Sequence, residues 1–122
     1  RLQKMGIAPD ARVWMIGMDD PVFVDEVNAL VDQPFVLKPA TKGEYDAIVL
    51  VAREPKTLAK LGACARRLAP KGAVLVLWPK GRKDLRHEEV VEAGRAAGLS
   101  QTRSMAFNDE LTALRLVRAK VK

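Results

Sequence analysis

Lys80, Arg82, Lys83 and Arg86 crowd into one short stretch directly behind Trp78-Pro79, with Gly81 among them. Cations at that density attract an anion. A glycine lets backbone donors approach a bound group, and an indole offers it a flat apolar face. The plain alternative is a solvated loop following a tryptophan that packs beneath a helix, and the spacing admits both. Two more turns carry binding chemistry. Gly17-Met18-Asp19-Asp20-Pro21 puts a pair of carboxylates where a helix should begin, and Ala52-Arg53-Glu54 puts a guanidinium beside a carboxylate behind an apolar run. The residues singled out as candidate ligand contacts are Gly17, Asp19, Asp20, Arg53, Trp78, Lys80 and Arg82.

Covalent and metal chemistry have less to stand on. The chain has 1 histidine, His87, and 1 cysteine, Cys64. A structural zinc site takes about four His or Cys ligands, and no Ser-His-Asp unit can be argued from the spacing. No catalytic or metal-ligating residue is therefore assigned. His87 lies in the polar run Arg86-His87-Glu88-Glu89 and reads as a solvated surface residue. Cys64 follows Leu61 at helical spacing and reads as a small core residue rather than a reactive thiol. Arg115, Arg118, Lys120 and Lys122 make a second basic run, read as outward hairpin positions and a frayed tail.

The elements that must position these groups follow from periodicity. Arg12-Val13-Trp14-Met15-Ile16-Gly17 is a buried strand closed by glycine, with Trp14 in the core. Asp20 and Pro21 are a cap and a first helical residue, and Phe23, Val27, Leu30 and Val31 fall on one helical face. Phe35-Val36-Leu37-Lys38 is a second short strand between Pro34 and Pro39, followed by a polar loop from Pro39 to Glu44. Tyr45-Asp46-Ala47-Ile48-Val49-Leu50-Val51 is apolar on both faces, as a central parallel strand must be. Pro55 opens a helix carrying Leu58, Leu61, Ala65 and Leu68, which Pro70 and Gly72 end. Ala73-Val74-Leu75-Val76-Leu77-Trp78 is another doubly buried strand. Asp84 can cap a third helix carrying Leu85, Val90, Val91 and Ala97, with Gly98 as its stop. Residues 102–107 and 111–117, around Asn108-Asp109-Glu110, read as an antiparallel hairpin, because so short a link cannot hold a crossover helix.

Strands alternating with helices predict an α/β domain with a mostly parallel sheet. Lys4-Met5-Gly6-Ile7-Ala8-Pro9-Asp10-Ala11-Arg12-Val13, Leu68-Ala69-Pro70-Lys71-Gly72-Ala73, Trp78-Pro79-Lys80-Gly81 and Leu114-Arg115-Leu116-Val117 together resemble a bacterial domain-of-unknown-function family with a degenerate, class I methyltransferase-like Rossmann fold. The resemblance spans nearly the whole chain, and the Trp-Pro-Lys turn is its most specific part. It implies a single Rossmann-like three-layer sandwich over residues 1–122, with strands in the order 2-1-3-4-6-5 and a C-terminal antiparallel hairpin. It implies no activity. This chain departs from the family pattern at Leu111, where a tryptophan is expected, and at Asp19-Asp20, which replaces a more neutral turn.

A working class I methyltransferase needs a glycine-rich first turn, a carboxylate ending the second strand for the ribose, and a polar loop after the next central strand, by the logic that also governs dinucleotide sites. Here the first turn has the single glycine Gly17, and the second strand ends in Lys38. Glu54, after the third, serves a helix cap as well as a ligand. A pyrophosphate cofactor would meet Asp19 and Asp20 at the very helix end that should receive it. No cofactor is predicted.

With 122 residues and 48% apolar composition the chain is one domain, burying about two-thirds of its unfolded surface. No apolar run approaches the roughly 18 residues of a membrane span. No signal-peptide pattern follows Arg1-Leu2-Gln3-Lys4, and a lone cysteine suits a reducing compartment, so the chain reads as cytoplasmic. It begins without a methionine, as a trimmed chain or an excerpt would. The net charge of +6 favours anionic partners weakly. The leading reading is a non-catalytic domain binding a small ligand or a protein partner. The others are a divergent S-adenosylmethionine-dependent methyltransferase and a basic nucleic-acid-binding accessory protein. A ligand should sit at the strand carboxyl ends, between the strands ending at Gly17 and Val51, on a rim acidic at Asp19-Asp20 and basic at Lys80 and Arg82. A rim so divided suits a zwitterion or a polar partner surface.

Overall fold

Val13–Ile16 (β1), Tyr45–Val51 (β2) and Leu68–Pro79 (β3) are apolar runs, and they lie side by side in parallel, β2 between the other two. The computed structural model describes residues 5–38 and 43–119. Arg1–Lys4, most of the loop expected from Pro39 to Glu44, and Lys120 and Lys122 of the second basic run lie outside the described residues. Leu99–Ala106 (β4) and Leu111–Arg118 (β5) form the expected hairpin. β5 inserts antiparallel against β3, and β4 is the outer strand, so the five-stranded sheet runs β1-β2-β3-β5-β4.

The sheet differs from expectation in two details. Phe35-Val36-Leu37-Lys38 is not a strand of it. Only Val36 pairs, in an isolated parallel bridge to Trp14, with Met15 N–H donating to Val36 O and Val36 N–H to Val13 O, each at 2.9 Å. Pro34 and Pro39 bracket the segment and remove two backbone donors, which leaves little ladder to build. With that strand reduced to a bridge, the sheet is mixed rather than mostly parallel: β1, β2 and β3 pair in parallel, and the hairpin supplies the antiparallel ladders.

Three boundaries also move. β3 starts at Leu68, so Leu68 is a strand residue, and Pro70 and Gly72 lie inside β3 rather than ending a helix. The reason is local. Leu68 pairs with Tyr45, and Gly72 passes so close that an added Cβ would lie 2.8 Å from Asp46 O and 3.0 Å from Tyr45 O. Gly72 therefore admits a backbone contact rather than a helix stop. The preceding helical segment is a 3-10 turn, Pro55–Lys60, running into Leu61–Arg66 (α2). The helix expected from Asp84 starts at His87 instead, as His87–Ala96 (α3), because the Asp84 carboxylate is held by Arg82. Glu89 accepts from Arg86 N–H at 3.1 Å in its place.

Pro21–Leu30 (α1) begins as its sequence dictates, with Asp20 Oδ1 accepting from Val22 N–H at 3.0 Å and Phe23 N–H at 3.2 Å. Its buried Phe23 and Val27 cover one face of the sheet with Met5, Ile7 and Phe107, against Val49, Val51, Leu75 and Leu77. On the other face Leu61, Cys64 and Val90 from the helical segments meet Ile48, Leu50, Val74, Val76 and Trp14. Helices on both faces of a sheet make three layers, as expected. Each fully buried Leu or Val contributes about 1.5–3 kcal/mol, so these two cores hold the strand ends at fixed positions.

Candidate functional site

β3 remains paired to its last residue. Trp78 lies opposite Thr112 and Pro79 opposite Leu111, and Lys80 N–H donates to Glu110 O at 2.9 Å. The chain then turns through Gly81, at φ +76°, with open space where a side chain would stand. From there it runs past Arg82 and Lys83 to the start of α3. Between this turn, the first turn of α3 and the hairpin lies a cleft of about 570 Å³. Buried Trp78 and Leu85 form its floor, with Ser104 and Thr112 on the hairpin side. The remaining wall is Lys80, Gly81, Arg82, Lys83, Arg86 and His87, so the cleft is lined by four cations and no carboxylate.

These cations are not equivalent. Arg82 is bidentate on Asp84, Nε to Oδ1 at 2.9 Å and Nη2 to Oδ2 at 2.5 Å, and its Nη1 donates to Arg53 O. The guanidinium holds the Asp84 carboxyl below its ordinary range, and Asp84 in turn raises the Arg82 pKa. Arg86 Nε lies 3.6 Å from Glu89 Oε1. Among the described residues, Lys80 and Lys83 have no ion-pair partner and are exposed. The His87 ring lies near-parallel to Trp78, at 24° with centroids 6.3 Å apart.

The other sequence candidates assemble next door. Arg53 Nη1 donates to Glu110 Oε1 at 2.6 Å, and its Nη2 to Asp19 Oδ1 at 3.1 Å and Oδ2 at 3.2 Å. Those bonds, the Glu110 one foremost, raise its pKa. Asp20 caps α1 and also accepts from Asn108 Nδ2 at 3.3 Å. Gly17 turns at φ +76°, where an added Cβ would lie 3.2 Å from Val51 O. Gly17, Asp19, Asp20 and Arg53 thus lie in the turns after β1 and β2, where Arg53 ties Asp19 to Glu110 of the hairpin turn and Asp20 ties the start of α1 to Asn108. Trp78, Lys80 and Arg82 line the cleft. The rim expected to be one edge of mixed charge is two neighbouring clusters joined through Arg82 and Arg53, and the cleft lies on the β3–β5 side.

Sequence reasoning did not bring His87, Ser104 or Thr112 to the site. His87 is exposed as expected, yet its contact with Trp78 follows from where α3 starts. Ser104 and Thr112 reach the cleft through hairpin register, and pattern alone does not supply that. Glu54, the other candidate cap, makes no side-chain cap bond and pairs with Lys56 at 3.2 Å. Cys64 is a core residue whose thiol burial pushes up to about 11. No group of three or more metal-ligating side chains occurs among the described residues, and no helix among them is long and apolar enough to cross a membrane.

Comparisons with known proteins agree with this architecture. A putative methyltransferase from Thermoplasma acidophilum is similar at TM-score 0.70 and 8% identity, over 92% of this chain and 70% of that one. A ribosomal protein L11 methylase from Lactobacillus delbrueckii subsp. bulgaricus is similar at TM-score 0.71 and 11% identity, over 96% and 74%. The magnesium protoporphyrin IX methyltransferase of Synechocystis PCC 6803, solved with bound SAH, is similar at TM-score 0.64 and 13% identity, over 97% and 78%. At those identities the likeness is one of fold. A comparison with curated protein sequences finds no match. A family model described as "Protein of unknown function (DUF3052)" matches residues 2–120.

Proposed function

We propose, from the premise that the chain belongs to this family of unknown function, that it is a non-catalytic binding domain whose cleft beside Trp78 takes a small anionic ligand. The observation that carries this is the lining itself: Lys80, Arg82, Lys83 and Arg86 around an apolar floor, with no carboxylate among them. A volume of about 570 Å³ falls among pockets that enclose small molecules. The buried Cys64 thiol stays protonated at neutral pH, so the chain's cysteine offers no nucleophile. A thermal-shift screen of small anions tests the reading. A stabilising anion should lose its effect in the Lys80→Glu with Lys83→Glu variant, while a variant that keeps full affinity would place the site elsewhere. Arg82 is left intact because it also ties the loops through Arg53 O.

A divergent S-adenosylmethionine-dependent methyltransferase is the second reading, favoured by the fold it shares with methyltransferases and by the left-handed turn at Gly17. Against it, Asp19 is engaged by Arg53, and Lys38 stands where a ribose-binding carboxylate would be needed. Calorimetry with S-adenosylmethionine should give no heat of binding at micromolar concentrations. A low-micromolar dissociation constant would put this second reading first.

A further inference from the structure

We infer that the cleft selects a phosphomonoester carried on a flat apolar body, with Lys80 and Lys83 holding the phosphate; this rests on the anion-binding reading above. Charge counting comes first. Of the four cations lining the cleft, Arg82 is neutralised by Asp84 and Arg86 faces Glu89. Lys80 and Lys83 remain as two uncompensated charges. A phosphomonoester brings about −1.5 to −2 at neutral pH and matches them, whereas a carboxylate brings one charge. A polyphosphate brings more than the two lysines balance.

Geometry points the same way. A planar carboxylate is best read by the fork of an arginine, and the Arg82 fork is already bidentate on Asp84. What stands clear of any carboxylate is a pair of ammonium groups on flexible stems. These are point charges that suit a tetrahedral anion with oxygens in several directions. Gly81 adds an open backbone beside them, and Ser104 and Thr112 line the cleft with them. Thr112 Oγ1 donates to Met105 O at 3.1 Å, which fixes that side chain at the cleft edge. The flat body is argued from the rings. His87 lies near-parallel on Trp78 and is itself exposed, so its outer face continues a stack that a ligand ring extends.

The test is calorimetry of the full chain with adenosine 5′-monophosphate, O-phosphotyrosine, adenosine, inorganic phosphate and 1-naphthoate. At least one of the two ring phosphomonoesters should bind tenfold or more tightly than both adenosine and inorganic phosphate. Which of the two binds tells a purine-sized body from a single benzene ring. The Lys80→Gln with Lys83→Gln variant should lose tenfold or more of that affinity while melting within a few degrees of the parent. A variant that retains the affinity would remove the lysines from the site. Adenosine binding as tightly as its monophosphate would show that the phosphate is not selected. Naphthoate binding without either phosphomonoester would overturn the ligand class and leave the anion cleft standing. No binding by any of the five would remove the cleft reading together with this one.

Discussion

Arg82 shows how one side chain can serve both a binding loop and the frame beneath it. It faces the cleft, clamps Asp84 and reaches the carbonyl of Arg53. The Asp84 carboxyl is depressed below its ordinary 3.8, chiefly by the hydrogen bond from Arg82. A depressed folded-state pKa stabilises the fold above the unfolded value and loses that contribution as pH falls through the folded one. Carbon-detected NMR titration should therefore find the Asp84 midpoint below that of an ordinary aspartate, and Arg82→Gln should return it to the ordinary range. An unchanged midpoint in the variant would show that the clamp does not form in solution. Cys64 behaves oppositely. Its thiol, raised to about 11 by burial, should resist a disulfide exchange reagent at pH 8 in the folded protein and react at once in denaturant. Gly72 is a residue-scale case of a different kind. A methyl group there would collide with the carbonyls of Tyr45 and Asp46, so Gly72→Ala should cost about 2–3 kcal/mol, the upper part of the common range for point changes. Urea denaturation measures it, and a neutral result would mean that the start of β3 can shift.

At the scale of elements, the hairpin turn does more than reverse the chain. Asn108 Oδ1 accepts from Glu110 N–H at 2.9 Å and Leu111 N–H at 2.7 Å, while its Nδ2 donates to Asp20. Glu110 binds Arg53 through its side chain and Lys80 through its carbonyl. One short turn thus touches the start of α1, the loop after β2 and the loop after β3. Asn108→Ala removes the turn's internal acceptor and should cost about 1–2 kcal/mol, the scale of losing one or two partly buried hydrogen bonds. Amide exchange in that variant should speed up at Leu111 and Lys80 before it changes in β2. Uniform acceleration through the sheet would mean that the turn is not a local fastening. Arg53→Gln, by contrast, breaks ion pairs whose side chains are 40% exposed at Arg53, 64% at Asp19 and 63% at Glu110. Exposed pairs are worth under about 1 kcal/mol, so its melting temperature should barely move.

For the whole molecule, the sequence determined what depends on neighbours along the chain. The apolar runs of β2 and β3, the Asp20-Pro21 start of α1 and the hairpin around Asn108 were all legible, because periodicity, capping and turn chemistry are local. So was the resemblance that placed the chain in a degenerate methyltransferase-like fold. The failures share a cause. Phe35-Val36-Leu37-Lys38 carries strand residues, but whether they pair depends on what lies beside β1. Leu68 fits a helical stripe, but Tyr45 claims it for the sheet. Asp84 has the chemistry of a cap, but Arg82 takes its carboxylate. The candidate site divided the same way. The sequence supplied Trp78, Lys80 and Arg82 as one loop, since a loop is contiguous. Only the tertiary structure decided that Arg53 binds Asp19 and Glu110, which stand 34 and 57 residues away. Only it decided that Ser104 and Thr112 enter the cleft, through the register of β4 against β5 and of β5 against β3. An ion pair or a cleft wall is set by distance in space, and sequence separation carries no information about that distance until the sheet order is known.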